Sequence, residues 1–240
     1  LDGSSAASDV YKRQGYIRFW HGTALASRDI QSLYENRETS NPSIFGTNPT
    51  ITTITDTYDS SIIATPYNGL TFSTGGAEFD GVDNYLDVTS FEFGGDFTIE
   101  MYIKLYTITT ATHIFQTADY DAVSYPQYPY WDDLIIFAVG SGNSAKGRGY
   151  WESQGSAPAV ETGSNFFEAN VWVHMVYTVS GTTHKIYKNG ELLATGTAAH
   201  NKSIKVQTRD FTMFGGGVFN SDGTIAVSYT HLTLPTNHPV

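Results

Sequence analysis

VWVHMVYTVSGTTHKIYKNGELLATG, residues 171–196, is the stretch whose reading decides the fold. It opens with a β-rich run, breaks at a short loop, and resumes into a hairpin turning at Asn189-Gly190. Asn-Gly accepts the positive φ angles of a type I′ turn, the connection whose twist matches two antiparallel strands. Upstream, DFTIEMYIKL (residues 96–105) alternates: Phe97, Ile99, Met101, Ile103 and Leu105 face one way. Thr98, Glu100, Tyr102 and Lys104 face the other. A period of two is the strand period, so the apolar set is expected in the core. GAEFDGVDNYLDV (residues 76–88) reads as a strand, a Gly turn and a second short strand. Further strands are expected at 113–117, 134–139, 149–152, 211–214 and 224–226. Many short strands with regular turn signals predict an all-β antiparallel sandwich, and no strand–helix alternation supports a doubly wound α/β fold.

Composition agrees. Among 240 residues, aromatics make up 14% and charged residues 15%, with 23 Gly, a balance that suits strands and turns. The net charge of −11 argues against nucleic acid, whose phosphates need Lys and Arg patches. No apolar run reaches the roughly 18 residues that a membrane-spanning helix needs. Without cysteine there are no disulfides, thiolate metal sites or Cys nucleophiles.

The one helix signal lies near the front. Within residues 23–38, Ile30, Leu33 and Tyr34 form a stripe at helical spacing. Ser27 is the expected N-cap, and Asp29 in the first turn suits the helix dipole. About ten residues cannot hold a helix alone in water, so this one must dock. YIRFW (residues 16–20) before it reads as a strand.

Five motifs stand in order: FDGVDNY (79–85), DFTIE (96–100), WVH (172–174), YKNG (187–190) and DGTI (222–225). Together they resemble the laminin-G-like, pentraxin-type branch of the concanavalin A-like lectin/glucanase superfamily. The resemblance implies a jelly-roll sandwich of two antiparallel sheets. In that family DG-x-I continues into a closing strand and short helix, and residues 16–37 resemble that ending. The expected organisation follows: residues 15–38 are the closing strand and helix of a preceding repeat, 39–54 a linker, and 55–226 a domain lacking its last strand. Residues 1–14 and 227–240 resemble translated sequencing-adapter read-through. Residues 16–20 are expected to take the vacant edge of the sandwich, with Ile30, Leu33 and Tyr34 packed against it. The alternative occupant is 226–234, which alternates like a strand.

Glycosidases on this fold carry closely spaced carboxylates, in one large group E-x-D-x-x-E, and no such run occurs. Glu100 is flanked by Ile99 and Met101, and adjacent Asp132 and Asp133 would point to opposite faces of a strand. His113, His174 and His184 lie on strand patterns without a serine elbow and read as structural. Calcium wants six to eight hard oxygens, and Asp80, Asp83, Asn84 and Asp87 crowd one turn. With Asp222 of the closing motif, Asp80, Asp83 and Asn84 form the expected metal set, although the same residues are ordinary turn formers. For a sugar, exposed rings are needed beside hydrogen-bonding groups. Tyr120, Tyr125, Tyr128, Tyr130 and Trp131 cluster in DYDAVSYPQYPYWDD, with Tyr150 and Trp151 soon after. These rings could stack on a pyranose while Asp119, Asp121, Asp132 and Gln127 take hydroxyls. The same loop could instead fold back on the sandwich or bind a protein. Asn201-Lys-Ser203 is a glycosylation sequon.

The resemblance thus implies a non-catalytic carbohydrate-binding or adhesion module of a tandem-repeat extracellular or cell-surface protein, calcium-assisted. Its partners would be a glycan or an extracellular protein, with neither nucleic acid nor membrane insertion. A glycoside hydrolase-type domain and a structural spacer repeat are the alternatives.

Overall fold

The alternation in residues 96–105 places the centre of the molecule. A computed structural model describes residues 17–35, 53–55, 59–73, 76–80, 83–105, 108, 112–119, 132–139, 145–152, 159–197, 203–209, 211–215, 218–219, 225–226 and 232–233. The first half holds β1 (Ile17–His21), helix α1 (Ser27–Glu35), β2 (Ile54–Thr55), β3 (Ile63–Tyr67), β4 (Thr71–Ser73), β5 (Gly76–Glu78), β6 (Tyr85–Val88), β7 (Phe91–Phe93), β8 (Phe97–Leu105) and β9 (Thr112–Asp119). The second holds β10 (Asp132–Val139), β11 (Gly147–Glu152), β12 (Val160–Glu161), β13 (Trp172–Ser180), β14 (Thr183–Lys188), β15 (Glu191–Thr197) and β16 (Gln207–Arg209). It ends with β17 (Phe211–Phe214), β18 (Val218–Phe219), β19 (Ile225–Ala226) and β20 (Leu232–Thr233).

Two large sheets result. Sheet A runs β15-β14-β13-β8-β20-β5-β4, with β1 also on β8, and sheet B runs β12-β11-β10-β9-β17-β6-β3-β2. Every pairing between described strands is antiparallel. The Asn189-Gly190 turn joins β14 to β15 with φ of 51° and 86°, the left-handed pair that the sequence demands.

Phe97, Ile99, Met101, Ile103 and Leu105 of β8 are all buried between the sheets, as their spacing predicts. Val173, Met175, Tyr177 and Val179 of β13 lie beside them, and Phe115, Phe214, Leu86 and Val88 of sheet B belong to the same core. The inter-sheet fit is close at Gly149, where a Cβ would sit 2.6 Å from the Tyr177 ring. The Tyr177 hydroxyl meets His184 Nδ1 at 2.5 Å, both side chains fully buried. Burial holds the His184 imidazole neutral, its pKa lowered to about 4, and pushes the Tyr177 phenol up.

The strand at the front joins sheet A beside β8. β13 occupies one side of β8, and β1 pairs with the other, Ile17 opposite Met101 through His21 opposite Phe97. The alternative occupant shares that side: β20, inside the stretch resembling adapter read-through, pairs at Leu105 and Lys104 and carries the sheet on to β5. Behind β1 the chain turns onto the outer face of sheet A. Leu25 N donates to Thr98 Oγ1 at 2.9 Å, and Thr98 Oγ1 donates to Thr23 O at 3.0 Å. Ile30 then buries completely against Val176 and Tyr187. Tyr34 lies 5.6 Å from the His174 ring, centroid to centroid. Ser27 is not the N-cap: the first helical bonds close on Ala26 O, and the Ser27 hydroxyl bonds instead to the Tyr187 hydroxyl at 3.1 Å. A tertiary partner outcompetes the local one.

This cover explains why polar residues of β8 are buried. Glu100 and His174, neighbours across β8 and β13 on the outer face, sit 2.8 Å apart, Oε1 to Nε2, and both are buried. His174 and His184 are both buried with one ring nitrogen hydrogen-bonded, while the His113 side chain lies outside the described residues.

Two measurements check this packing. Ile30→Ala should cost about 2–4 kcal/mol in denaturant unfolding, since the cavity is fully enclosed. Because His184 takes a proton more readily unfolded than folded, stability should rise between about pH 4 and 6.5, by up to about 3 kcal/mol. His184→Gln should flatten that rise in a Tm-against-pH series.

Candidate functional site

Helix α1 packs on the outer face of sheet A, and sheet B presents the second outer face. Strand alternation assigns its residues. Leu86 and Val88 point into the core, so Tyr85 and Asp87 between and before them point outward. Ala64 packs on the core, which turns Thr65 and Tyr67 of β3 outward as well. Met213 and Gln116 continue the same row, pairing Asp87 with Met213 and Met213 with Gln116. Gln116 Nε2 meets Met213 Sδ at 3.4 Å, and both are buried.

At the β3–β6 end stands an aromatic platform. Tyr67 and Tyr85 are cross-strand partners whose rings lie 4.7 Å apart and 7° from parallel. Tyr67 is 40% exposed, while Tyr85 is half-buried beneath it. One strand position along, Asp87 faces the same way and is half-buried. Desolvation pushes its carboxyl above the usual range, against a hydrogen bond from the Val88 amide that lowers it. The Tyr85 phenol is pushed up by burial first, then by Tyr67 and Asp87.

The turn before β3's partner is braced. Asn68, at φ 56°, donates through Nδ2 to Asp83 O at 2.8 Å. Asn84, buried, donates to Asn68 O at 2.5 Å and accepts the Asp80 amide at 2.8 Å. Asp80 Oδ1 in turn accepts the Asp83 amide at 3.3 Å. So Asp80, Asp83 and Asn84 are brought together, but as turn bonds that hold Tyr67 at its strand end. Asn84 uses its amide nitrogen and one lone pair of its amide oxygen in these turn bonds. Among the described residues no group of three acids or histidines converges to hold a metal. Asp222 lies outside the described residues.

The opposite end of the face carries a charge cluster. Glu161 of β12 accepts Lys146 Nζ on one oxygen and Arg148 Nε on the other. Burial raises the Glu161 carboxyl, but the hydrogen bonds and charges of Lys146 and Arg148 outweigh it and hold it below the usual range.

The aromatic cluster expected from sequence is placed only in part. Tyr120, Tyr125, Tyr128, Tyr130 and Trp131, with Gln127 and Asp121, lie outside the described residues, as does Asn201 of the sequon. Tyr150 and Trp151 are on β11, where their side chains are outside the description. By register Tyr150 pairs with Ile136, and Ile136 with Gln116, so its backbone continues the row that begins at Asp87. Sequence reading missed Tyr67 and Tyr85 as a pair. The available signal was Tyr67-Asn68-Gly69, an aromatic at a strand end before a left-handed turn, but Pro66 masked the strand.

The chain matches the family model Laminin_G_3, concanavalin A-like lectin/glucanases superfamily, over residues 80–227. No curated protein matches it. Among solved structures it is similar to the CBM40 module of Ruminococcus gnavus IT-sialidase bound to α2,3-sialyllactose, at TM-score 0.45 and 16% identity, covering 59% of this chain and 73% of that one. It is similar to the carbohydrate-binding module CBM66 from Bacillus subtilis at TM-score 0.40 and 18% identity, covering 63% and 90%. A Trypanosoma rangeli sialidase mutant displaying trans-sialidase activity matches at TM-score 0.50 and 13% identity, covering 88% of this chain and 36% of that one. At these identities the likeness is one of fold alone.

Because folding raises the proton affinity of Asp87, its charged form costs stability at neutral pH. Asp87→Asn should therefore raise Tm at pH 7, and the difference should vanish below about pH 3, where the carboxyl is protonated folded and unfolded.

Proposed function

We propose that this chain, which belongs to the concanavalin A-like lectin/glucanase superfamily, is a non-catalytic carbohydrate-binding module using the outer face of sheet B. One observation carries the reading: the exposed Tyr67 ring, backed flat by Tyr85, stands beside a half-buried carboxylate that no described cation neutralises. A pyranose offers an apolar C–H face to such a ring and hydroxyl donors to such a carboxylate.

A hydrolase reading needs two carboxyls about 5–9.5 Å apart. On the strands of this face, among described side chains, the acids are Asp87 on β6 and Glu161 on β12, and the nearer acids Asp80 and Asp83 belong to the turn before β6. Five strand spacings separate those strands, about 24 Å at roughly 4.8 Å each. Glu161 is moreover held ionised by two cations, unlike a proton donor. We place the module in an extracellular or surface protein, where it would serve recognition or adhesion. No helix of the described residues is long and apolar enough to cross a membrane.

Glycan-array screening followed by titration calorimetry tests the proposal. Tyr67→Ala should weaken binding roughly ten- to thirtyfold, about 1–2 kcal/mol, with little change in Tm. Silence across the array, or binding indifferent to Tyr67→Ala, would overturn it.

A further inference from the structure

The charges around the Tyr67 platform say more about its ligand than the ring does. From them we infer that the face selects an uncharged saccharide and rejects sialic acids, uronic acids and sulfated sugars. The inference rests on the carbohydrate-binding reading above and narrows its ligand class.

An anionic sugar needs a cation to meet its carboxylate or sulfate. Among described side chains on this face, the cations are Lys146 and Arg148, and both are committed to Glu161. They also stand far from the platform: four strand spacings separate β11 from β6, about 19 Å at roughly 4.8 Å each. What lies near Tyr67 is negative. Asp87 is on the adjacent strand, and Asp80 and Asp83 cap the turn whose backbone Asn68 and Asn84 tie to the end of β3. The whole chain, at −11, adds a repulsive background that salt screens.

Asp87 itself asks for donors rather than charge. It is half-buried, its described partner is the Val88 amide, and desolvation makes its bare charge costly. Two adjacent sugar hydroxyls, donating to its two oxygens, would relieve that cost without bringing another ion. A second carboxylate at the same distance would deepen it. The chemistry that fits is therefore a neutral pyranose with its C–H face on Tyr67 and a vicinal diol on Asp87. This sets the face apart from a sugar-acid site, where a free guanidinium is the expected anchor.

The test uses the full chain and pairs of ligands differing by one charge. Lactose is compared with 3′-sialyllactose, and cellohexaose with its uronate analogue, together with array glycans of both kinds, at low and high salt. The neutral member of any binding pair should be held at least about tenfold tighter than the charged one, a gap of about 1.4 kcal/mol. The gap should narrow at high salt and in Asp87→Asn, and Tyr67→Ala should weaken both members. Equal or tighter binding of the acidic member, still dependent on Tyr67, would overturn this inference and leave the carbohydrate-binding reading standing. Failure of every glycan to bind, or binding that ignores Tyr67→Ala, would overturn both.

Discussion

The enclosure of β8 is the constraint on which the rest of the structure depends. One face of the strand supplies Phe97, Ile99, Met101, Ile103 and Leu105 to the core, and one edge pairs with β13 along nearly its whole length. Its other edge is closed by β1 and β20, and its other face by the segment running into α1. A strand so enclosed must hold its polar side chains without water. Thr98 does so by bonding the backbone at Thr23 and Leu25, and Glu100 by meeting His174. Truncating one partner of a buried hydrogen-bonded pair leaves the other without that bond and away from water, so the pair relies on the N-terminal segment staying in place. An edge strand left open would also offer unpaired amides to any passing chain.

Because that segment seals sheet A, the two outer faces of the sandwich are used in opposite ways. On sheet A the polar residues are turned into structure: Glu100, His174 and Thr98 are buried and paired. On sheet B an acid of similar position, Asp87, stays half-exposed and a ring beside it stays 40% exposed. Burial of a charge without a cation opposes folding, whereas the Glu161 cluster at the far end of the same sheet shows how the chain satisfies an acid with two cations. Local departures of this kind from good packing practice are what binding surfaces look like in physical terms.

The core was legible in the sequence because its causes are local. A period of two over residues 97–105 needs no knowledge of the partner strand to assign Phe97 through Leu105 inward, and Asn189-Gly190 needs none to turn a hairpin. The cap of α1 was not legible, since Ser27 is claimed by Tyr187, distant in sequence. Nor was the burial of Glu100, which depends on a segment from the front of the chain. The acids of residues 80–87 show both sides. Their crowding was visible, but whether they gather an ion or brace a turn depends on Asn68, far enough away that only the fold joins them. The Tyr67–Tyr85 stack fails to show for the same reason: a cross-strand pair is a fact of register, and register appears only when both strands are known.

The same register explains how Tyr67 comes to be available. β2 pairs with β3 only at Ile63 and Ala64, so among the described strands β3 has no second neighbour at Pro66 and Tyr67. Proline, lacking an amide hydrogen, is tolerated there because no ladder bond is asked of it. Among the described residues the sheet thus ends at the residue whose ring is exposed. On its inner side Tyr85 lies parallel to that ring, and the Asn68–Asp83 and Asn84–Asn68 bonds fix the turn that follows. Ordering a loose tyrosine on binding would cost about 0.5–1.5 kcal/mol, and here the fold has met that cost already. A ring held flat and open at a sheet margin is arranged for contact before any ligand arrives.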